Sequence, residues 1–403
     1  MTIWQPETCE QVTEIISSAL AQQRPFRICG HDTKSGFGAP VNTADTLSLK
    51  ALSGVIDYQP EELVLVVKAG TPLADIEQLL AEENQMLAFE PADLSGILAS
   101  KSTGTIGGVL ATNLSGPRRL TAGAARDFLL GFDAVSGRGE RFKSGGRVMK
   151  NVTGYDLSKL ICGSYGTLAV VDEVTIKTLP RPETSLSLLY GCDDMKSAVS
   201  LIAAIFASPH EPGAAAILPQ SVVATAGLDM AAAMIVVIRL EGIALSVEDR
   251  AAHLRHMGQP DRGGVVGTLL QADSEALWAR IRDVDLLAHT SGDIWKLSCA
   301  PASGPAIVAA MQQSFEIIFY ADWAGGLLWF AGPSEAEFGT ALRAALMGHG
   351  GGHAQLLCDR AMSKKSVPVF QPLPPAQASL TKRVKAAFDP LGVLNFGRMH
   401  NGI

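Results

Sequence analysis

The sequence lacks any apolar run long enough to cross a membrane. Its longest apolar stretches, such as residues 230–238 (MAAAMIVVI), fall well below the about 18 residues that a spanning helix needs. Residues 1–10 do not show a charged segment followed by an apolar one, which is the pattern of a secretory signal. We therefore expect a cytoplasmic protein that inserts no segment of its own into a membrane.

Paired cysteines are missing as well. None of the six cysteines belongs to a CxxC pair, so neither a zinc site nor an iron–sulfur cluster is expected in this chain. The net charge of −7 argues against an electrostatic surface for nucleic acid or anionic lipid. With 47% hydrophobic and 18% charged residues, the composition is that of a folded globular protein of two or three domains.

The usual nucleotide-binding fingerprints are absent too. No GxxxxGK[ST] occurs, and the stretch at residues 104–108 (GTIGG) is not GxGxxG, so neither a P-loop nor a Rossmann site is favoured. What the sequence does have is a concentration of glycine, with 13 of its 40 glycines between residues 101 and 170. Residues 30–34, 104–108 and 163–167 each offer backbone N–H groups that a pyrophosphate could approach closely.

The order of elements predicts an α+β or α/β fold. Thr8 precedes an amphipathic helix, with Gln11 placed to complete a capping box. A buried strand is predicted over residues 63–68, and a helix after it with Thr71 as N-cap and Pro72 as first helical residue. A half-buried strand is predicted within residues 168–179, and two prolines in residues 179–182 indicate a domain boundary. A final helix is predicted to present Leu380, Val384, Ala387 and Phe388 on one side and to end at residues 389–390.

Three segments together resemble a known family. Residues 101–119 (KSTGTIGGVLATNLSGPRR), residues 150–180 (KNVTGYDLSKLICGSYGTLAVVDEVTIKTLP) and residues 388–399 (FDPLGVLNFGRM) resemble the FAD-linked oxidases of the vanillyl-alcohol oxidase (PCMH-type) superfamily, and within it the FAD-binding E subunits of bacterial glycolate oxidases. The resemblance implies an α+β fold. Residues 1–180 would form an FAD-binding domain of two α/β subdomains, residues 181–375 a smaller α+β cap-type domain with an antiparallel sheet, and residues 376–403 a helix and tail returning to the first domain.

The same resemblance implies a set of FAD-binding residues. They are two pyrophosphate loops, a segment at the middle of the cofactor, a loop around the ring and diphosphate, and one C-terminal residue: Gly30, His31, Asp32, Thr33 and Lys34; Gly104, Thr105, Gly107 and Gly108, with Asn113 close to the flavin; Gly154, Tyr155 and Asp156; Gly163, Ser164, Gly166, Thr167 and Leu168; and Asn395. For Tyr155, a core position with a satisfied hydroxyl is the competing interpretation. Lys34, Arg118, Arg119 and Lys150 are candidates to offset phosphate or flavin charge.

Two departures from the family pattern bear on function. The first loop reads Gly30-His31-Asp32, which resembles relatives whose loop histidine bonds covalently to flavin; the alternative is that only the backbone of His31 matters. Residues 348–353 (GHGGGH) replace the histidine-rich motif of the catalytic D subunits, and two histidines alone make a poor divalent metal site.

Three functions remain open at this point. In the first, the chain binds FAD and relays electrons in a glycolate-oxidising complex, between a D-type flavin catalytic subunit and an iron–sulfur subunit, with contact to the inner membrane made only through those partners. In the second, it is a stand-alone FAD-dependent oxidase or dehydrogenase of another small hydroxy acid or alcohol, with Asp322, His353 or Asp359 as candidate substrate contacts. In the third, it is a structural subunit without cofactor.

Overall fold

A computed structural model describes residues 2–43, 45–98, 100, 103–146, 154–257, 264–360 and 367–402. The chain divides into two compact units. Unit 1 comprises Met1–Ser115, Gly123–Arg181 and Pro372–Ile403, and unit 2 comprises Gly116–Ala122 and Pro182–Gln371. Gly116–Ala122 belongs to unit 2 although the residues on either side of it belong to unit 1.

Unit 1 begins with short strands and helices in alternation. Up to the first boundary its elements are β1 (Thr2–Trp4), α1 (Cys9–Gln22), β2 (Phe26–Cys29), β3 (Asp45–Ser48), β4 (Val55–Gln59), β5 (Val64–Lys68), α2 (Leu73–Glu82), β6 (Gln85–Met86), α3 (Ser95–Leu98), α4 (Ile106–Thr112), α5 (Ala125–Phe128), β7 (Leu129–Ser136), β8 (Arg141–Gly145), α6 (Leu157–Ile161), β9 (Ala169–Lys177) and β10 (Leu179–Pro180). They form a parallel sheet in the order β1-β3-β2 and an antiparallel sheet in the order β4-β5-β9-β7-β8.

The residues just before α1 and α2 show how each helix begins. Thr8 caps α1 by accepting a hydrogen bond from the Gln11 N–H at 3.3 Å, as predicted. The Gln11 side chain accepts from the Glu7 N–H at 2.7 Å, so the reciprocal bond is made one residue before the cap. The prediction that Thr71 caps α2 is wrong: Pro72 occupies that position. The Thr71 hydroxyl oxygen accepts instead from the Gly54 N–H at 3.0 Å, while the hydroxyl donates to the Lys68 carbonyl at 2.6 Å.

Unit 2 is built on one large antiparallel sheet. Its elements are β11 (Thr184–Cys192), α7 (Met195–Phe206), β12 (Ala214–Pro219), α8 (Gln220–Val223), β13 (Met234–Gly242), α9 (Ala244–Arg255), β14 (Gly264–Leu270), α10 (Gln271–Arg282), β15 (Asp293–Ser298), α11 (Gly304–Gln312), β16 (Ile318–Asp322), β17 (Leu327–Gly332), α12 (Ala336–Gly348) and β18 (His353–Cys358). The strand order is β14-β11-β13-β12-β16-β17-β15-β18. The α+β class predicted for the chain is confirmed.

The two faces of this sheet differ in chemistry. One face carries an apolar core with Ile238, Leu297 and Phe330, packed against residues of α7, α9, α11 and α12. Because side chains alternate along a strand, Arg239, Glu241, Lys296 and Asp322 all belong to the other face, which we call the charged face. No helix among the described residues is both long and apolar enough to cross a membrane.

The chain ends in unit 1 with α13 (Pro375–Phe388). The apolar side predicted for this helix is not buried: Leu380 is 56% exposed, and Lys385 is the buried residue of the helix. The Lys385 ammonium donates to the carbonyls of Thr167 at 2.6 Å and Leu394 at 2.9 Å, and it pairs with Asp389 at 2.6 Å. A buried ion pair, rather than an apolar stripe, therefore fixes the end of this helix.

Candidate cofactor-binding site

Unit 1 contains a cleft made of two adjoining cavities. They measure about 690 and 540 Å³ including their open mouths. Eight residues line both cavities and so mark the region where the cavities meet: Ile28, Cys29, Gly30, Thr105, Gly108, Ala111, Tyr165 and Asn395. All of them come from β2, from α4 with its capping residue, or from the loops that follow β2, α6 and α13.

The larger cavity is an apolar slot. Leu110 of α4 and Ile161 of α6 line it, together with Phe132 of β7 and Val170 and Val174 of β9. These strands are the centre of the antiparallel sheet. A slot with such walls suits the flat face of an aromatic ring system, which gains free energy when it leaves water.

The smaller cavity collects positive charge. The cations Arg27, Lys34 and Arg398 line it, and Asp32 is the one acidic residue among its lining residues. Asp32 pairs with Arg27, and Arg398 donates to the Lys34 carbonyl at 2.8 Å. The Lys34 ammonium donates to the Thr103 carbonyl at 3.3 Å. Burial lowers the pKa of Lys34 to about 8, an effect that Asp93 partly opposes.

The first predicted loop presents backbone donors to this charged cavity. The N–H groups of residues 31–34 donate to no acceptor within the described residues, and all four residues line the cavity. Asp32 adopts a left-handed conformation with φ of 59°. At Gly30 a Cβ atom would collide with the Thr105 side chain, so glycine lets the first and second loops touch.

The second predicted loop is held by its own hydrogen bonds. Thr105 caps α4 by accepting from the Gly108 N–H at 3.3 Å, and the Gly107 N–H donates to the Ala69 carbonyl at 2.8 Å. A Cβ atom on Gly107 would lie 2.7 Å from that same carbonyl oxygen. Gly104 has φ of 92°, and its Cβ position lies 2.5 Å from the Thr33 hydroxyl. The glycines here therefore serve close packing of loop on loop.

The third loop is joined to the tail of the chain by Asn395. The Ile28 N–H donates to Asn395 Oδ1 at 2.8 Å, and Asn395 Nδ2 donates to the Tyr165 carbonyl at 2.8 Å. Asn395 thus fastens β2 to the loop of residues 163–167. The Tyr165 ring stacks on Phe37 with centroids 5.9 Å apart, which closes one wall of the charged cavity.

The structure brings most of the predicted residues together. Those that line the cleft are Gly30, His31, Asp32, Thr33, Lys34, Thr105, Gly107, Gly108, Ser164, Gly166 and Asn395. Gly104 packs behind the first loop, as described above. His31 is an exposed loop residue, which leaves both its backbone role and its covalent role as predictions.

The other predicted residues lie outside the lining of the cleft. Asn113 is the C-cap of α4, and its side chain accepts from the Arg126 N–H at 3.1 Å. The Gly163 N–H donates to the Leu110 carbonyl, while Thr167 and Leu168 are buried. Tyr155 is 92% exposed, next to the exposed residues Gly154 and Asp156, so a core position for its ring is wrong.

The residues predicted to offset phosphate or flavin charge are divided between the two units. Lys34 lines the cleft of unit 1, whereas Arg118 and Arg119 belong to unit 2. Arg118 pairs there with Glu241. Lys150 lies outside the described residues.

Sequence reasoning missed Arg27, Tyr165 and Arg398. All three line the charged cavity. Arg398 lies inside the tail motif already singled out, residues 388–399, where it is the one cation. Tyr165 lies between two loop positions that were named. A search of those motifs for unexplained cations and aromatics would have found both.

The donor set of the cleft fits FAD. Four backbone N–H groups that have no acceptor among the described residues, and the half-buried Lys34 ammonium, offer the partners that a diphosphate needs. The adjoining apolar slot offers a ring site. Both observations come from the protein alone.

Comparison with known proteins decides the family. A profile described as "FAD binding domain" matches residues 2–145. The glycolate oxidase subunit GlcE of Escherichia coli (strain K12) is 33% identical over 396 residues, which cover 97% of each chain. The chain belongs to the GlcE family of FAD-linked oxidoreductases. The predicted cofactor, FAD, and the predicted oxidoreductase class are thereby confirmed.

More distant relatives share part of the chain or only its fold. The glycolate oxidase subunit GlcD of Bacillus subtilis (strain 168) is 29% identical over 250 residues, covering 60% of this GlcE-family chain and 52% of that protein. A crystal structure of p-cresol methylhydroxylase with substrate bound superposes with a TM-score of 0.73 at 13% identity, over 99% of this chain and 88% of that one. The latter likeness confirms the fold of the vanillyl-alcohol oxidase type.

Proposed function

We propose that this chain is the FAD-binding subunit of a complex that oxidises glycolate to glyoxylate. The observation that carries the proposal is the 33% identity to a glycolate oxidase subunit over 97% of both chains. A likeness confined to the FAD-binding part would support only a flavoprotein, whereas this one includes unit 2 and the tail. The predicted limits of the domains, 1–180, 181–375 and 376–403, remain part of the proposal.

The cleft of unit 1 holds the cofactor in this proposal. The N–H groups of residues 31–34 and the Lys34 ammonium bind the diphosphate, because they converge on one cavity and have few partners of their own. The apolar slot excludes water from a ring, and Asn395 keeps the two cavities joined. Bound FAD supplies the acceptance and onward transfer of electrons.

We propose that the remaining predicted residues lie farther from the cofactor. Asn113, Gly163, Thr167 and Leu168 support α4 and the third loop from behind. Residues 154–156 are proposed to contact FAD only through rearrangement of this exposed segment.

We assign the iron–sulfur cluster of the complex to another chain. None of the six cysteines belongs to a CxxC pair, whereas a cluster is held by several cysteine thiolates that lie close together. A D-type subunit would remove hydride from glycolate, and this chain would relay electrons from it to the iron–sulfur subunit. We propose a cytoplasmic location, with inner-membrane contact made through those partners.

Reconstitution tests the proposal. The chain is expressed alone and together with its D-type and iron–sulfur partners, and glycolate-dependent dye reduction is measured in each case. We expect activity from the assembly, none from the single chain, and a loss of activity when Lys34→Met replaces the wild-type chain in the assembly. Glycolate oxidation by the single chain would favour a stand-alone enzyme, and full activity without FAD in this chain would favour a structural subunit.

A further inference from the structure

Helix α13 carries an apolar side that the described residues leave open to water. Four residues recur at intervals of three or four and so lie along one side of the helix: Ala376, Leu380, Val384 and Ala387. Leu380 is 56% exposed, and both alanines are exposed. The buried Lys385 follows Ala376 by about two and a half turns and therefore lies on the opposite side. We call the four apolar residues the α13 surface.

Positive charge lies beside the α13 surface. The helix contains no acidic residue, although the whole chain has a net charge of −7. The exposed Arg383 lies one turn before Ala387, and the exposed Arg138 donates to the Ala387 carbonyl at 2.9 Å. Within the described residues neither arginine forms an ion pair. The surface is therefore apolar along its length and basic at its rim.

The buried side of α13 contacts the segments of unit 1 that form the cofactor cleft. Lys385 donates to the carbonyl of Thr167, at the end of the third loop, and to the carbonyl of Leu394. The residue after Leu394 is Asn395, which lines both cavities. A protein bound to the α13 surface would therefore be separated from these cleft segments by the width of one helix, about 10 Å.

The chemistry of the α13 surface favours a different protein as its occupant. Two copies of α13 packed against each other would bring like charges together, which is unfavourable at an interface. A helix that lies on a membrane inserts large side chains such as Trp, Phe and Leu. Two of the four residues here are alanines, whose small side chains let the backbone of another protein approach closely.

We propose that the α13 surface docks another subunit of the glycolate-oxidising complex, through an apolar patch of that subunit with carboxylates at its rim. The apolar contact supplies affinity, and Arg138 and Arg383 select the partner through charge-assisted hydrogen bonds. The inference rests on the proposed function, because it requires a complex with further subunits.

Co-purification tests the docking surface. The full-length chain carries an affinity tag and is co-expressed with its D-type and iron–sulfur partners, and the amount of each partner recovered per chain is measured. We expect Leu380→Asp to lower the recovery of at least one partner about tenfold or more. The matched control is Leu270→Asp, at a leucine of unit 2 that is 61% exposed, and it should change neither partner.

A charge reversal repeats the test without altering the apolar side chains. Arg383→Glu should also weaken the assembly, most clearly at low salt, where charges are least screened. Lys196→Glu, at an exposed position of α7, should leave it unchanged. The flavin content and thermal unfolding of each purified variant should match those of wild type, because all of the replaced side chains are exposed.

The outcomes separate the docking surface from the proposed function. Equal recovery of both partners by Leu380→Asp and wild type would overturn the docking surface and leave the proposed function standing. A wild-type chain that recovers neither partner would contradict the complex itself, and the docking surface with it. Binding of the single chain to phosphatidylglycerol vesicles, or its dimerisation, that Leu380→Asp abolishes while both partners are retained would assign the surface to a membrane or to a second copy and overturn the proposal.

Discussion

At the scale of single residues, the cleft of unit 1 depends on one lysine and one asparagine. Lys34 carries a charge that burial disfavours, since its pKa falls to about 8 in the chain alone. Asn395 uses both ends of its amide to join β2 to the third loop. In the proposed function, Lys34 supplies charge to the cofactor and Asn395 holds the two sides of the cleft in place.

Replacing Lys34 by methionine should weaken FAD binding about 10- to 100-fold, the equivalent of a charge-assisted hydrogen bond. A diphosphate stabilises the charged ammonium, so wild-type affinity should be highest below about pH 8 and fall above it, as binding then requires uptake of a proton. The variant should show no such fall. Fluorescence titration of the flavin-free chain across pH measures both effects. Lys143→Met, at an exposed position of β8, is the control, and a pH profile shared by both variants would contradict this role.

Substitutions of Asn395 separate its side-chain bonds from its backbone. Its φ of 44° is unfavourable for alanine, so Asn395→Ala should lose both hydrogen bonds and add strain, lowering the free energy of unfolding by about 2–4 kcal/mol. Asn395→Gly also loses both hydrogen bonds but adds no backbone strain. Its free energy of unfolding should therefore lie between those of the wild type and of Asn395→Ala. Urea unfolding and flavin content are the measurements. If glycine restores full flavin content, the side-chain bonds are not what joins the two cavities.

At the scale of elements, the loops of unit 1 are shaped by what glycine permits. A Cβ on Gly107 would lie 2.7 Å from a fixed backbone oxygen of Ala69, whereas a Cβ on Gly146 would meet nothing within 4 Å. The first position belongs to the second loop of the cleft. The second lies in the same unit but away from it.

Gly107→Ala should therefore destabilise the chain by about 1–3 kcal/mol and reduce the flavin retained on purification. Gly146→Ala should do neither, because nothing opposes the added methyl group. Thermal unfolding and absorbance of the two purified variants make the comparison. Equal behaviour would show that close packing of the second loop is unimportant.

The buried pair of α13 gives a prediction about the chain's end. Lys385→Met leaves the Asp389 carboxylate buried without its cation, and should cost about 3 kcal/mol of stability. Lys382→Met, at an exposed position of the same helix, should cost almost nothing. Urea unfolding of both variants decides, and comparable losses would mean that the pair does not hold the helix end.

The elements differ in how far the sequence reveals them. The Thr8 cap of α1 and the strand β9 follow from local sequence pattern. The start of α2 does not, because the Thr71 hydroxyl oxygen accepts from the N–H of Gly54, which is 17 residues away in the chain. The buried face of α13 was misjudged for a related reason, since a lysine satisfied by carbonyls from two loops cannot be recognised from helix periodicity.

At the scale of the whole molecule, the likeness to known proteins and the geometry of the cleft each indicate a flavoprotein, and the two lines of evidence are independent. The likeness to glycolate oxidase subunits spans both units, and the donor-rich cleft lies within unit 1 alone. Of the three cleft residues that the sequence analysis missed, Tyr165 and Arg398 lie inside motifs that it quoted, whereas Arg27 lies outside them and could not be chosen from the sequence. The charged face of unit 2 could not be predicted from the sequence either, since it depends on how the strands of the sheet pair.

The most direct test of this account is the visible absorption spectrum of the purified full-length chain, recorded before and after acid precipitation. The account predicts a flavin spectrum with about one FAD per chain, and flavin released to the supernatant if His31 acts only through its backbone. Flavin that stays in the pellet and is released by His31→Ala would establish covalent attachment at the same cleft. A chain purified without flavin that also fails to bind added FAD would contradict the central claim.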